Sequence, residues 1–137
     1  MPLNDEVQDG LTGLVWRRCA EGQTWTGSEC SGSAAAYDWA SALARAHTEA
    51  AQGVAWRLPS AKELSSLTDE SRVNPAIDLQ AFPGTVYSKP FWTSTTVRKW
   101  PLEAPSLEAW WVSFDLGNLG AGAKDASHHI RLVRTAP

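Results

Sequence analysis

The chain has two cysteines, one methionine, two tyrosines and three phenylalanines in 137 residues. No apolar run is long enough to span a membrane, so we expect no direct membrane insertion. The 12 lysine and arginine residues do not exceed the 15 aspartate and glutamate residues. This balance argues against nucleic-acid binding, which requires a basic surface. Tryptophan is abundant instead, with eight residues that usually anchor a core or an interaction surface. We expect residues 1–137 to form a single domain.

The two cysteines, Cys19 and Cys30, lie in a segment rich in glycine, serine and threonine. A thiol nucleophile needs a base and a zinc site needs four ligands, and neither partner set is near them in the sequence. We therefore favour a disulfide that closes a short loop around Trp25, in an oxidising compartment. Met1 leads into a polar stretch without the apolar core of a signal peptide. We expect a secreted, periplasmic or cell-surface protein whose export signal has been removed.

The first half of the chain predicts a hairpin followed by two helices. Residues 6–9 and 14–17 are strand-like and are separated by glycine turn signals. A helix is predicted over residues 33–52, capped by Ser31 or Ser33 and stopped by Gly53. A capping box, in which Ser60 and Glu63 bond reciprocally, predicts a second helix over residues 61–70.

The second half of the chain predicts three strands, at residues 91–96, 109–114 and 129–134, from β-branched and aromatic content. Residues 74–84 are expected to form turns, and the glycine-rich residues 116–127 are expected to form a loop. The order of strands, helices and strands indicates an α+β fold in which the two ends of the chain pair in one sheet.

Six motifs distributed along the chain resemble one bacterial family, the domains typified by the C-terminal domain of the collagen-like adhesin Lcl. The longest is the tryptophan-containing run that leads into the second predicted helix. In chain order, the motifs are Thr12-Gly13-Leu14-Val15-Trp16-Arg17-Arg18-Cys19, Trp56-Arg57-Leu58-Pro59-Ser60-Ala61-Lys62-Glu63-Leu64, Asn74-Pro75-Ala76-Ile77-Asp78, Phe91-Trp92-Thr93-Ser94-Thr95, Trp110-Trp111-Val112-Ser113-Phe114 and Ile130-Arg131-Leu132-Val133-Arg134.

The resemblance implies a C-type-lectin-like fold in an exported or surface protein. Domains similar to this family include adhesins that bind sulfated glycans and variable ligand-binding proteins diversified by retroelements. Calcium-dependent lectins of this fold carry acidic and amide triplets, but this chain has Glu103-Ala104-Pro105 and Trp110-Trp111-Val112. These lack the oxygen ligands that calcium requires, so no cofactor is indicated. The related formylglycine-generating enzymes use late cysteines, which are absent after Cys30, and we do not expect an enzyme.

Alternation along the penultimate strand selects the candidate binding residues. If Trp110, Val112 and Phe114 face the core, then Trp111, Ser113 and Asp115 face outward, unless a second layer covers Trp111. A basic and aromatic loop lies nearby, and its charges suit the sulfate or carboxylate groups of a glycan. The further candidates are Arg98, Lys99 and Trp100 in that loop, and Asn118, Lys124, His128 and His129 on the neighbouring loop and strand end.

Other interpretations of these residues are weaker. His128 and His129 are expected to face opposite sides of a strand, which argues against their binding one metal ion together. Asp115, Asn118 and Asp125 could offer oxygens to calcium, although such spacing is common. Arg131 and Arg134 are expected to pair with carboxylates such as Asp69 or Glu70.

The sequence thus predicts a domain that binds a glycan or protein ligand through its C-terminal strands and loops. The alternatives are a structural or assembly domain of a larger exported protein and, more remotely, an enzyme. No nucleophile elbow, phosphate-binding glycine loop or metalloprotease helix motif supports the last of these.

Overall fold

The computed structural model describes residues 5–98 and 106–136. These residues form two short helices and small antiparallel sheets, and the β content predominates. In chain order, the elements are β1 (Glu6–Asp9), β2 (Leu14–Arg17), β3 (Thr24–Trp25), β4 (Cys30–Ser31), α1 (Trp39–Ala50), α2 (Ala61–Ser65), β5 (Phe91–Thr96), β6 (Glu108–Ser113), β7 (Asn118–Ala123) and β8 (Val133–Thr135). No helix among the described residues is long and apolar enough to cross a membrane.

The first sheet joins the two ends of the chain in the order β1-β2-β8, with both pairings antiparallel. The predicted hairpin is confirmed, since β1 and β2 pair over their full lengths. Its turn includes Gly13, whose φ of +74° is a conformation that favours glycine. Val15 of β2 lies opposite Arg134 of β8, which confirms the expected pairing of the chain ends.

The predicted disulfide is present between Cys19 and Cys30. Cys30 begins β4, which pairs with β3 as a two-stranded hairpin in which Trp25 lies opposite Cys30. The guanidinium carbon of Arg18 lies 5.0 Å from the centroid of the Trp25 ring. The disulfide therefore ties this small hairpin to the segment that follows β2.

Helix α1 begins at Trp39, six residues later than the sequence predicts, and its N-cap is Asp38 rather than a serine. The Asp38 carboxylate accepts a hydrogen bond from the backbone N–H of Ser41. Upstream of this cap the backbone is held by the rest of the fold. The N–H of Ala35 donates to the Glu21 carbonyl, and the N–H of Tyr37 donates to the His128 carbonyl. These long-range bonds prevent the helix from extending towards residue 33.

Helix α2 has the predicted capping box, with Ser60 and Glu63 bonded in both directions. It ends at Ser65, however, and the expected extension to residue 70 is wrong. The hydroxyls of Ser66 and Thr68 donate to backbone carbonyls three residues upstream. These bonds satisfy carbonyl groups at the end of the helix, where the chain turns away.

The second three-stranded sheet has the order β5-β6-β7, and both pairings are antiparallel. The prediction for residues 91–96 is confirmed, and β6 begins one residue before its predicted start. The expected loop at residues 116–127 instead contains β7, a glycine- and alanine-rich strand. Within the predicted strand at residues 129–134, only Val133 and Arg134 belong to β8. His129 upstream makes an isolated bridge to Phe91.

Two apolar clusters lie on opposite faces of β5 and β6. The first contains Phe91 and Val112, and the second contains Trp92 and Ala109. Helix α2 contributes Leu64 to the first cluster. The other members of that cluster are Leu14, Trp16, Ala20, Ile77, Phe82, Phe114 and Val133. Helix α1 contributes Ala42 and Ala46 to the second cluster. The other members of that cluster are Val15, Trp56, Leu58, Ile130 and Leu132.

The prediction for residues 74–84 is confirmed, since this segment forms turns rather than a strand.

Arg131 is 1% exposed and fills the space beside the first cluster. Its guanidinium donates to the backbone carbonyls of Arg17 (3.2 Å) and Arg18 and to the hydroxyl of Thr85 (3.1 Å). It also lies 4.7 Å from the centroid of the Phe82 ring. Burial lowers the pKa of Arg131 to about 9, which leaves the group charged at neutral pH.

The expected carboxylate partners of the two C-terminal arginines are wrong. Arg131 donates to oxygens of the backbone and of Thr85, while Arg134 pairs with Glu6 at 2.8 Å. Asp69 pairs with Arg72 instead, three residues along the chain. The reason is topological, because β8 lies in the sheet that contains Glu6.

Candidate functional site

The side chains of β6 alternate between the two faces of the second sheet. Val112 is fully buried on one face, as is Phe114 just after the strand. Trp111 projects from the opposite face, where it is partly exposed and packs against the second apolar cluster. Trp110, expected in the core, is only partly buried. The predicted phase therefore holds for Val112 and Phe114, and Trp111 is neither fully covered nor fully open.

The indole ring of Trp111 lies across β7. Gly120 is its cross-strand partner, and Gly122 is two residues further along the same strand. A Cβ atom added at Gly120 would be 2.4 Å from Cη2 of Trp111, and one added at Gly122 would be 3.0 Å from its Nε1. Only residues without a side chain let the ring lie this close to the strand. The two glycines thereby fix the indole flat against the sheet.

Two polar side chains share this face with Trp111, because Ser113 pairs with Asn118 across the strands. We name the surface formed by Trp111, Ser113, Asn118, Gly120 and Gly122 the Trp111 face. Its members come from two strands joined by a tight turn, so their relative positions are set by strand register. This turn places hydrogen-bonding groups next to an aromatic surface.

Asp115 lies at the turn beside the Trp111 face. Its carboxylate accepts from the Ser113 hydroxyl (2.7 Å) and from the backbone N–H of Leu116 (2.7 Å). The hydrogen bond from Ser113, followed by that from Leu116, lowers the pKa of the carboxyl below its usual value. Asp115 is therefore an anion that orients the Ser113 hydroxyl.

Lys124 follows β7 and lies against Trp39 at the start of α1. Its Nζ is 4.1 Å from the centroid of the Trp39 ring and donates to the Ser106 carbonyl at 2.9 Å. Both the backbone and the side chain of Trp39 are hydrogen-bonded. Its backbone N–H donates to the Lys124 carbonyl, and its indole Nε1 donates to the Thr93 carbonyl. A positioned cation and a second tryptophan thus belong to the same side of the molecule.

His128 lies between Trp111 and the fully buried Trp92. Its ring centroid is 4.6 Å from that of Trp92 and 6.4 Å from that of Trp111. Its Nδ1 is buried and has no hydrogen-bond partner among the described residues. Burial lowers the pKa of His128, and the nearby charge of Lys89 lowers it further.

His129 projects to the opposite side, as expected for consecutive residues in an extended segment. It is 6% exposed, its Nδ1 is 2.8 Å from the Ala35 carbonyl, and its ring lies 5.6 Å from that of Phe91. His129 therefore belongs to the interior rather than to the Trp111 face. Within residues 5–98 and 106–136, no three histidine, cysteine, aspartate or glutamate side chains are grouped in a way that could hold a metal ion.

The remaining candidates form the basic loop after β5. Arg98 is exposed and follows Val97, whose N–H donates to the Glu108 carbonyl at the start of β6. It therefore lies at the opposite end of the sheet from Ser113. Lys99 and Trp100 lie outside the described residues.

The structure thus groups five of the residues selected from the sequence at or beside the Trp111 face. The five are Trp111, Ser113, Asp115, Asn118 and His128. Lys124 lies at the other end of β7, the end of the sheet at which Arg98 lies, and contacts Trp39 there. The structure adds three residues that the sequence did not select, which are Trp39, Gly120 and Gly122. In the run Asn-Leu-Gly-Ala-Gly-Ala, glycine occupies alternate positions. This spacing could have indicated a strand in which the glycines leave one face without side chains. The contact between Trp39 and Lys124 has no local signal in the sequence.

The architecture and this surface define a mostly β domain with a short disulfide-closed hairpin and an aromatic face on its second sheet. Comparison with family models identifies the chain further. It belongs to the Lcl C-terminal domain family, whose model matches residues 5–134. No curated protein matches the chain.

Proposed function

We propose that this chain is a ligand-binding domain of an exported or surface protein and that it recognises a glycan through the Trp111 face. The observation that carries the proposal is the indole of Trp111, held flat on Gly120 and Gly122 and left partly exposed. The proposed activity is binding, and it assigns no catalytic step to any residue.

The chemistry of this surface suits a sugar ring. The apolar C–H face of a sugar can bury against a rigid aromatic surface, and its hydroxyl groups then need polar partners at the edge. Ser113 and Asn118 offer such groups on the same face. Lys124 supplies a positive charge beside Trp39, which suits a sulfate or carboxylate substituent.

We further propose that the fold is C-type-lectin-like. Its support is the pairing of the N-terminal hairpin with the C-terminal strand, the two helices that follow, and the separate second sheet. Membership of the Lcl C-terminal domain family is consistent with this proposal. The Cys19–Cys30 disulfide supports export to an oxidising compartment, where such bonds persist.

A second candidate function is assembly within a larger exported protein. The observation that favours it is the exposure of three leucines, with Leu107 before β6 at 79% and Leu116 and Leu119 towards the other end of the sheet at 58% and 49%. Exposed apolar groups of this kind mark surfaces that contact other proteins. This candidate predicts no binding to any isolated glycan.

The test is a glycan array containing heparin-like and neutral oligosaccharides, with two matched variants. Trp111→Leu removes the aromatic surface, whereas Trp110→Leu removes an adjacent, partly buried tryptophan from the other face of the same strand. We expect Trp111→Leu to weaken binding roughly tenfold or more, as for a binding hot spot, and Trp110→Leu to leave it nearly unchanged. Equal losses in both variants, or no binding by the unmodified chain, would contradict the proposal.

A further inference from the structure

The hydrogen bonds between β6 and β7 determine which residues of β7 direct their backbone N–H and C=O groups away from β6. The N–H of Lys124 donates to the Leu107 carbonyl at 2.9 Å, which continues the ladder between β6 and β7. In an antiparallel pair, residues that bond to the partner strand alternate with residues that point away from it. Counting back from Lys124, the backbone groups of Leu119, Ala121 and Ala123 therefore point away from β6.

These outward groups are largely unpaired within residues 5–98 and 106–136. Neither Leu119 nor Ala121 makes a backbone hydrogen bond to any described segment on that side. The carbonyl of Ala123 accepts from the N–H of Ala126 at 3.1 Å and retains a second lone pair. The edge is thus a row of donors and acceptors of the kind that pairs with another strand.

The strand also lacks the features that normally protect an edge. Its sequence, NLGAGA, contains neither a charge nor a proline, and Leu119 is 49% exposed. The edge strand of the first sheet, β1, also lacks proline but differs in charge. It carries Glu6 and Asp9, and such charges discourage pairing between molecules. Of these two edges, only that of β7 is open to association.

We propose that β7 pairs with β7 of a second copy of this chain, antiparallel, around a two-fold axis at Ala121. This register places Ala121 opposite its own counterpart and Leu119 opposite Ala123 of the second copy. It therefore matches all three outward-pointing residues of each strand, whereas registers shifted by two residues match fewer. No like charges meet, because the strand has none and Lys124 lies opposite Asn118 of the second copy.

Self-pairing extends the sheet from three strands to six and leaves the Trp111 face uncovered. The axis of an antiparallel pair is perpendicular to the sheet, so both Trp111 faces point to the same side. Two binding surfaces on one side would strengthen attachment to a repetitive ligand by raising the effective concentration of the second contact. The dimer itself does not depend on the proposed glycan function.

The register can be tested by single cysteine substitutions, because both native cysteines form a disulfide and no free cysteine is present among the described residues. In the proposed dimer the two Ala121 Cα atoms are about 5.5 Å apart, within the range for a disulfide. The matched control is Leu119→Cys, because the two copies of residue 119 are roughly 13 Å apart. Under mild oxidation, Ala121→Cys should form a covalent dimer at least tenfold faster than Leu119→Cys. Equal rates would overturn the proposal.

Sedimentation equilibrium without any glycan gives a second, non-covalent readout. The mass of the unmodified chain should rise from one copy towards two between about 10 µM and 1 mM, as expected for a small interface. Leu119→Lys places a charge on the β7 edge and should abolish this rise. Gln8→Lys, which charges an exposed residue of β1, should retain it. A chain that stays monomeric throughout, or equal behaviour of the two variants, would refute self-pairing.

Discussion

The two three-stranded sheets differ in how they bury their aromatic side chains. In the first sheet, Trp16 of the central strand is fully buried. In the second sheet, burial declines across the strands. Trp92 of β5 is fully buried, its cross-strand partner Trp111 of β6 is partly exposed, and the next partner in β7 is Gly120.

This difference separates stability from recognition within one chain. The first sheet joins both ends of the chain and lies beside the buried guanidinium of Arg131, so its residues hold the fold. The second sheet is packed on both faces at β5 and becomes open towards β7. An aromatic group at such a margin keeps a fixed orientation while part of its surface remains available to a ligand.

The largest effect is expected at Arg131. Arg131→Met removes a guanidinium and leaves the buried carbonyls of Arg17 and Arg18 and the hydroxyl of Thr85 without their donor. We expect a loss of about 4 kcal/mol in the free energy of unfolding, measured by urea denaturation, because buried acceptors without partners are costly. The control is Arg134→Met, which breaks a partly exposed ion pair with Glu6 and should cost at most about 1 kcal/mol. Similar losses in the two variants would contradict the larger contribution to stability that we assign to the buried guanidinium of Arg131.

Much of the fold could be predicted where the signal is local. The hairpin at residues 6–17 and the Ser60–Glu63 capping box depend on turn and cap chemistry within a few residues, and both are confirmed. The start of α1 could not be predicted in this way. It depends on a bond between Tyr37 and His128, which are far apart in the sequence. The same holds for the carboxylate partner of Arg134.

Strand β7 was missed because glycine and alanine lack the side chains that mark a strand in sequence. Its structure depends on Trp111, which fills the space above Gly120 and Gly122. For the candidate site, alternation along β6 correctly separated Val112 from Trp111. The position of Trp39 was not predictable, since its contact with Lys124 joins a helix to a distant strand end.

A smaller effect would sharpen the contrast across the second sheet. Trp92 and Trp111 are cross-strand partners, but Trp92 is fully buried and its indole donates to the Tyr37 carbonyl at 2.9 Å. We expect Trp92→Leu to cost about 2 kcal/mol more than Trp111→Leu in thermal or urea unfolding, because it empties a fully packed site. Equal costs would show that Trp111 belongs to the core and would weaken its role as a binding surface.

The smallest effect is expected from His128, at the boundary between the core and the Trp111 face. Burial, followed by the charge of Lys89, lowers the pKa of His128 in the folded chain. The unfolded chain therefore takes up a proton first as the pH falls below about 6.5, the ordinary histidine value, and the folded state loses stability there. The loss is limited because the ring is partly exposed.

The measurement is the melting temperature at pH 7.5 and pH 5.5 for the unmodified chain and for two histidine variants. His128→Gln should lose less stability between the two pH values than the unmodified chain, because it removes the group that resists protonation. His47→Gln replaces an exposed histidine of α1 and should keep the unmodified pH dependence. If both variants follow the unmodified chain, His128 does not couple protonation to folding, and the margin of the second cluster tolerates a charge beside Trp92 and Trp111.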